Sequence, residues 1–308
     1  MTDYSELQQV QDYGCIPNSR TPEVMAEITA SAVPWDGDIT QTPAVVTWES
    51  FQRVLETLPD VDTHWWKKYD WQQYFTASQE YRPNCAGFGE ANAAMMRTLI
   101  QAGSQFSEQK PEKFNPMLTW LLSKGGSPYG GQSIGAMAKY GNQTGNFLAS
   151  DIGDYDPGKA TTGRSEAANE NAKKHQISFC VYEGNDPAEA ILTACRKGFT
   201  VFLGNSVGVA SGRMTDENGV EALKLSGSWS HAHAGGGFQI VNGVRYLYWM
   251  NSHGPIYPAK DGTPPIGGWM SEHTLRRFLS GSFADVCFII YAECPYDLDL
   301  KPTLNPEA

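Results

Sequence analysis

Two histidines lie two residues apart in a Gly-rich stretch of the sequence, WSHAHAGGGFQIVNG. On a β-strand, His231 and His233 would point to the same face. An imidazole in such a place can act as a general base, ligate a metal ion or simply pack in the core. The partners that the rest of the chain supplies decide which of these roles applies.

The cysteine with the most informative surroundings is Cys85, which opens the segment CAGFGEANAAMMRTLIQAG. Apolar residues such as Phe88 and Met95 recur there at helical spacing, and Gly103 is the predicted C-terminal stop of a helix. A helix N-terminus favours a thiolate through its partial positive charge and its free N–H groups. A buried, inert thiol is the alternative interpretation of Cys85.

A thiol becomes an efficient nucleophile when an imidazole takes its proton and a third group fixes the imidazole ring. Either His231 or His233 could supply that imidazole for Cys85. Asn251, at the end of the predicted strand YLYWMNS, is the candidate for the third group. The sequence therefore contains all the parts of a thiol-based catalytic site.

The same histidines also admit a metal site. His231, His233 and His253 together with a cysteine could ligate zinc. Two histidines two residues apart, with no paired cysteine motif anywhere in the chain, are however a weak zinc signal. We therefore predict no metal and no other cofactor.

The first half of this set resembles the papain-like cysteine peptidases. In QEYRPNCAGF, Gln79 lies six residues before Cys85, as a glutamine does in that family, and Phe88 falls where the family has its phenylalanine. Upstream, Asp70 and Trp71 resemble the Asp-Trp pair that opens the mature domain of the family. The resemblance extends over residues 70–294.

The later motifs follow in the order that the family shows. GGQSIGAMAKYG resembles the Gly-Gly segment and helix beside the substrate cleft, with Gly130 and Gly131 as the pair. HAHAGGGF resembles the strand of the catalytic histidine, and alignment on its final Gly-Phe selects His231 rather than His233. YWMNSHGP resembles the Asn-Ser-Trp-Gly-Pro motif, which selects Asn251.

This resemblance implies a role for each residue. Cys85 is the nucleophile, and His231 is the base that later acts as the acid. Asn251 holds the imidazole ring in plane, while the Gln79 side chain and the Cys85 backbone N–H form the oxyanion hole. Four further residues are expected in or beside the substrate cleft: Gly130, Gly131, His233 and His253.

The sequence departs from the family pattern at four positions. Ala86 and His253 stand where the family has tryptophans, Glu80 replaces a glycine, and Arg82 replaces a disulfide cysteine of secreted members. The first hypothesis is a hydrolase of peptide or amide bonds, with a peptide or a peptidoglycan-like substrate. The second is a catalytically weak or inactive scaffold that joins other subunits of a large assembly, such as a phage or virus particle.

Helices are predicted mainly in the first half of the chain and strands mainly in the second. TWESFQRVLETL reads as a helix capped by Thr47, and NDPAEAILTACRKG as one capped by Asp186 and followed by Gly198. This pattern predicts an α+β protein. The family resemblance implies two lobes, a helical one with Cys85 and an antiparallel sheet or barrel with the histidine and asparagine, on either side of a cleft.

The chain divides into three predicted segments. Residues 1–69 form an N-terminal extension with one predicted helix, which serves as a docking arm or resembles a propeptide. Residues 70–294 form the papain-like domain, and residues 295–308 form a C-terminal tail.

Composition narrows the classes of partner and compartment. The formal net charge of −11 disfavours binding to phosphate backbones, so we predict no nucleic-acid partner. No apolar run is long enough to span a bilayer, and the first residues lack the apolar core of a signal peptide. The six cysteines form no CxxC motif and are expected to be reduced. We therefore expect a cytoplasmic or virion-associated protein.

Overall fold

The structure is a computed structural model that describes residues 14–37, 43–105, 111–159 and 161–292. The α-helices in these ranges are α1 (Pro22–Ser31), α2 (Trp48–Thr57), α3 (Trp71–Tyr74), α4 (Cys85–Gln105), α5 (Pro116–Ser123), α6 (Ile134–Thr144), α7 (Ala149–Ile152), α8 (Glu166–Ala172), α9 (Pro187–Arg196) and α10 (Glu272–Phe278). The strands are β1 (Cys15–Ile16), β2 (Gln132–Ser133), β3 (Ile177–Val181), β4 (Thr200–Val209), β5 (Met214–Thr215), β6 (Glu221–Ala222), β7 (Leu225–Val241), β8 (Val244–Met250), β9 (Gly267–Ser271) and β10 (Ala284–Ala292).

Eight of these strands form one sheet, in the order β3-β10-β4-β7-β8-β9-β6-β5. Every neighbouring pair is antiparallel except β6 and β9. The predicted α+β class, with helices mainly first and strands mainly later, is confirmed. The alternative of a barrel is wrong, because β3 and β5 lie at opposite edges of the sheet and do not pair with each other.

Helix α4 packs against β7, β4 and β10 near the middle of the sheet. Small residues allow this close approach: a Cβ on Gly89 would lie 2.7 Å from the ring of Phe202 and 3.2 Å from the His233 carbonyl oxygen. The helix continues past Gly103 to Gln105, so the predicted stop at Gly103 is wrong. A glycine in a helix weakens it but does not end it where tertiary packing continues.

The predicted helix caps are confirmed. The Thr47 hydroxyl oxygen accepts a hydrogen bond from the Ser50 N–H at the start of α2. The Asp186 carboxylate accepts one from the Glu189 N–H at the start of α9, and Gly198 follows that helix with a φ of +86°. These local signals fix both helices before any long-range contact is considered.

The N-terminal extension adds more structure than the sequence predicts. Helix α1 has a weak apolar pattern, with Ile28 as its one buried residue, and pattern alone does not reveal it. The extension also reaches the edge of the sheet, where the Val46 N–H donates to the Phe179 carbonyl oxygen at 2.8 Å. The predicted boundaries at residues 69 and 294 remain predictions.

The described cysteines Cys15, Cys85, Cys180, Cys195 and Cys287 are buried and form no disulfide, whereas Cys294 lies outside the described residues. Within the ranges that the structure covers, no helix combines the length and the apolar character that crossing a bilayer requires.

Candidate active site

The centre of the candidate site is a buried pair, His231 on β7 and Asn251 directly after β8. His231 Nε2 lies 2.7 Å from Asn251 Oδ1, and both residues are at most 2% exposed. Because an amide oxygen only accepts, Nε2 carries a proton and donates it to Oδ1. The neutral ring then has its lone pair on Nδ1, which is the atom that can take a proton from a thiol.

Hydrogen bonds to both its nitrogen and its oxygen set the orientation of the Asn251 amide. Its Nδ2 donates to the Tyr257 hydroxyl oxygen at 2.8 Å and lies 3.3 Å from His253 Nδ1. Its Oδ1 accepts from the Ser252 N–H at 2.8 Å in addition to the histidine. Only one of the two amide orientations satisfies all these partners, so the assignment of Oδ1 follows from the network.

His253 covers one face of the His231 ring. The two rings are stacked, with centroids 4.5 Å apart and planes at 18°. His253 is 8% exposed, and an isolated bridge to Ser78 fixes its backbone. An imidazole therefore packs where the family resemblance places a tryptophan, and it contacts both members of the His231–Asn251 pair.

Gln79 lies next to this pair through Ser252. The Ser252 hydroxyl donates to Gln79 Oε1 at 2.5 Å, and the Gln79 N–H donates to the Ser252 carbonyl oxygen at 2.7 Å. Gln79 Nε2 donates to the Arg82 carbonyl oxygen at 2.7 Å. An amide NH₂ has two protons, so this bond leaves one N–H that can donate to an oxyanion.

Cys85 is the first residue of α4 and is completely buried. Gly89 lies one turn further along the same face of the helix and contacts the His233 carbonyl region of β7. The face of α4 that carries Cys85 therefore packs against the strand that carries both histidines. Cys85, His231 and Asn251 lie on elements that contact each other, and Gln79 is joined to them through Ser252.

Burial controls the charge of the three imidazoles. It lowers the pKa of His231 well below its usual value, and positive charge on His253 or His233 would lower this pKa further, while the Asn251 hydrogen bond raises it. Burial also lowers the pKa of His253 to about 4 and that of His233 well below its usual range. Unless a neighbouring acid gives up its proton to one of them, all three rings are therefore neutral at neutral pH, which is the state that a base requires.

One of the two predicted cleft glycines, Gly131, contacts the N-terminal segment. The Gly14 carbonyl oxygen accepts from the Gln132 N–H at 2.8 Å, and a Cβ on Gly131 would lie 2.0 Å from that oxygen. Gly14 has a φ of +95°, and a Cβ there would lie 2.1 Å from the Pro83 carbonyl oxygen. Gly130, with a φ of +71°, forms the turn before this contact.

The segment continues along the sheet. The Cys15 side chain is buried against Gly204, and the Cys15 carbonyl oxygen accepts from the Ser230 hydroxyl beside His231. Further on, the Asn18 N–H donates to Asp285 Oδ2 at 2.7 Å. We call residues 14–18 the arm. It lies between the residues that precede Cys85 on one side and β4 and β7 on the other.

The sequence did not identify several residues that hold this site together. Ser252 lies inside the Asn-Ser motif, and that motif could have singled it out. Tyr257 and Asn205 carry no spacing signal, because their contacts depend on how the segment after β8 folds back and on the pairing of β4 with β7. The predicted roles of the site residues and of the cleft residues remain predictions.

The three histidines do not form a metal site in this structure. In the described part of the chain, no group of three or more His, Cys, Asp or Glu residues is arranged to hold a metal ion. The rings of His231, His233 and His253 stack or meet edge to face instead of directing their nitrogens to one point.

No protein-family model matches the chain, and no curated protein matches it in sequence. Solved structures do match. Xylellain, a cysteine protease from Xylella fastidiosa, has a TM-score of 0.51 and 15% identity, covering 91% of this chain and 96% of its own. A structure from a study of the mite allergens Blo t 1 and Der p 1 has a TM-score of 0.47 and 15% identity. The match covers 95% of this chain and 82% of that one. Procathepsin B S9 from Trypanosoma congolense has a TM-score of 0.48 and 14% identity, over 87% and 88% respectively.

The similarity to xylellain extends over nearly the whole of both chains. At 15% identity it shows the fold and not the activity. The chain therefore has the α+β fold of the papain-like cysteine proteases, and this confirms the fold that the family resemblance implied.

Proposed function

We propose that this chain is a cysteine-dependent hydrolase of peptide or amide bonds, with Cys85 as nucleophile and His231 as base. The observation that carries the proposal is the 2.7 Å bond from His231 Nε2 to Asn251 Oδ1. It holds the ring in the tautomer whose Nδ1 can accept a proton, on a strand that packs against the helix beginning at Cys85.

The proposed reaction has two halves. The Cys85 thiol gives its proton to His231 Nδ1, and the sulfur forms a bond to the carbonyl carbon of the substrate. The oxyanion is held by Gln79 Nε2 and the Cys85 N–H. The C–N bond then breaks, the amine leaves with the proton from His231, and water hydrolyses the resulting thioester by the same proton transfers in the reverse direction.

The contacts of the arm indicate the class of substrate. Within the arm, Cys15–Ile16 pairs as a strand with Gln132–Ser133, the Gly14 carbonyl oxygen accepts from the Gln132 N–H, and the Cys15 carbonyl oxygen accepts from the Ser230 hydroxyl. An extended peptide makes the same kind of contact in the same space. We therefore propose a peptide substrate, with a peptidoglycan-like peptide as one member of that class.

One observation favours a second function. Cys85 is completely buried and the chain's own arm packs against Pro83, two residues before it, so the structure also suits a scaffold that does not turn over substrate. Such a scaffold would act through its outer surface in a larger assembly, of which a phage or virus particle is one kind. The experiment below separates the two functions.

The test uses iodoacetamide, a small alkylating reagent, on the full-length chain, with mass spectrometry to locate each modified cysteine. We expect Cys85 to be alkylated fastest, and His231→Ala to slow this reaction by about 10²-fold because the base is lost. His175→Ala is the matched control, since His175 is equally buried but meets Phe114 edge to face outside the site. Equal Cys85 alkylation in the native chain and in His231→Ala would favour the scaffold.

A further inference from the structure

A second asparagine–histidine pair lies beside the first. His233 Nε2 is 3.1 Å from Asn205 Oδ1, and the two residues are at most 1% exposed. Asn205 is on β4, directly opposite His231 in the β4–β7 ladder. Two buried histidines on one strand are thus each bound through Nε2 to the amide oxygen of a buried asparagine.

The orientation of the Asn205 amide is fixed on both sides. Its Nδ2 donates to the Phe278 carbonyl oxygen at 2.8 Å, and its Oδ1 also accepts from Trp229 Nε1 at 3.2 Å. Oδ1 must therefore accept from His233, so Nε2 of that ring carries the proton. His233 Nδ1 is then a buried acceptor, and among the described residues it has no hydrogen-bond partner.

The His233 ring meets the His231 ring edge to face. The centroids are 4.6 Å apart and the planes are perpendicular. The Trp229 ring contacts both imidazoles. Its centroid lies 5.0 Å from the His231 centroid and 5.1 Å from the His233 centroid. Edge-to-face packing brings the positive edge of one ring to the π face of the other, and the contact strengthens when the ring that presents its edge becomes a cation.

We propose that Asn205 and His233 are positioning residues for His231. Asn205 keeps His233 as a neutral imidazole, and this ring packs against the His231 ring, which becomes positively charged during catalysis. This role rests on the proposed function, because His231 is charged only after it takes the Cys85 proton. Asn205 keeps the proton of His233 on Nε2 and thereby keeps a second positive charge away from His231.

The pKa of His231 also depends on the titratable groups that face its ring. The titratable groups that face His231 are His233 on its own strand, His253 from the segment after β8 and, in the proposed site, Cys85 from α4. The main causes that shift the pKa of His231 are burial, the charges of His253 and His233, and the Asn251 hydrogen bond. The protonation midpoint of His231 therefore reports directly on a change at His233.

The test is a nitrogen-15 NMR titration of the histidine rings in the full-length chain, with signals assigned by substitution. At neutral pH we expect His233 to be neutral with its proton on Nε2. We expect His233→Leu to lower the protonation midpoint of His231 by about 0.5 to 1 pH unit, because the favourable ring contact with the cation is lost. Asn205 keeps its bonds to Trp229 and Phe278 in this variant.

A second variant tests the charge directly. Asn205→Asp places a carboxylate on His233 Nε2, which favours a doubly protonated His233, and the two cations then repel. We expect the His231 midpoint to fall by more than about 1 pH unit. In the double variant with His233→Leu no second cation can form, and the introduced carboxylate, directly opposite His231 in the ladder, should raise the midpoint instead of lowering it. His175→Leu is the control for loss of a buried ring and should leave the midpoint unchanged.

The result that overturns the inference is a His231 midpoint that moves by less than about 0.2 pH unit in folded His233→Leu and Asn205→Asp chains. An Nδ1–H tautomer or a cationic His233 in the native chain would overturn it equally. Both results are independent of the proposed function. The same titrations in a Cys85→Ala chain report on the rings whether or not that thiol is a nucleophile.

Discussion

At the scale of single residues, hydrogen-bond geometry determines what each imidazole can do. The Asn251 amide is held by Tyr257 and by the Ser252 N–H, and it presents its oxygen to His231. That oxygen selects one tautomer of the ring. The family resemblance predicted His231 and Asn251 as site residues, whereas the tautomer depends on Tyr257, a partner that no motif indicated.

Asn251→Ala should impair the base without removing it. The His231 ring then loses the acceptor that holds its proton on Nε2, so the productive tautomer and orientation are only part of the population. We expect Cys85 alkylation to slow by about tenfold, less than for His231→Ala. Tyr257→Phe is the control, because it keeps Asn251 and removes one acceptor of its amide, and it should slow the reaction less than Asn251→Ala. An Asn251→Ala chain that reacts at the native rate would contradict the role of this amide.

At the scale of elements, helix α4 carries both the candidate nucleophile and a buried acid. Asn146 Nδ2 donates to Glu90 Oε1 at 2.9 Å, while Glu90 Oε2 and Asn146 Oδ1 are both buried with no donor among the described residues. A proton on Glu90 would supply the missing donor. Burial raises the pKa of Glu90 to about 7, with the Asn146 bond acting in the opposite direction.

This acid makes stability depend on pH. The folded chain binds the Glu90 proton more tightly than the unfolded chain does. The contribution of Glu90 to the free energy of unfolding is therefore complete below about pH 4.5 and is lost as the pH rises to about 7. The loss in free energy of unfolding is about 3 kcal/mol. We expect Glu90→Gln to match the native chain near pH 4.5 and to exceed it by about 2 to 3 kcal/mol at pH 8, measured by urea unfolding.

The control for this substitution is Glu166→Gln, at an exposed carboxylate in the first turn of α8. It should change stability by less than about 0.5 kcal/mol at either pH. Equal stability of native and Glu90→Gln chains at pH 8 would show that Glu90 is ionised at little cost in the folded protein.

At the scale of the whole molecule, the arm lies between the residues before Cys85 and the sheet. Its contacts join Gly14 to Gln132 and Cys15 to Ser230, far apart in the sequence. Cys85 is completely buried, and the arm packs against Pro83, two residues before it. Access to the thiol therefore depends on how firmly residues 14–18 are held.

Gly14→Ala should loosen the arm. A Cβ at this position would lie 2.1 Å from the Pro83 carbonyl oxygen, and the φ of +95° disfavours any side chain. We expect Cys85 alkylation to become faster, by about tenfold for a local destabilisation of about 1.4 kcal/mol. Gly37→Ala is the matched control, because Gly37 has a φ of +98° but, among the residues that the structure describes, a Cβ there would meet only Val54. A Gly14→Ala chain that reacts no faster than the Gly37→Ala chain would show that the arm does not limit access.

Local signals explain which parts of the fold could be predicted. The caps at Thr47 and Asp186 and the order of helices and strands follow from short patterns, and they appear as expected. The open sheet, the extension of α4 past Gly103 and the pairing of β1 with β2 depend on long-range packing. A two-residue strand has no pattern of its own, so the sequence could not place the arm.

The central claim is that Cys85 and His231 act as a pair. The most direct measurement is the ultraviolet absorbance of the Cys85 thiolate as a function of pH, taken as the difference between the full-length chain and its Cys85→Ala variant. If the pair exists, the thiolate should form well below the usual thiol pKa of about 8.5, and His231→Ala should return its formation to that value or above. A Cys85 thiolate that forms at or above about 8.5 in the native chain, with no response to His231→Ala, would contradict the claim.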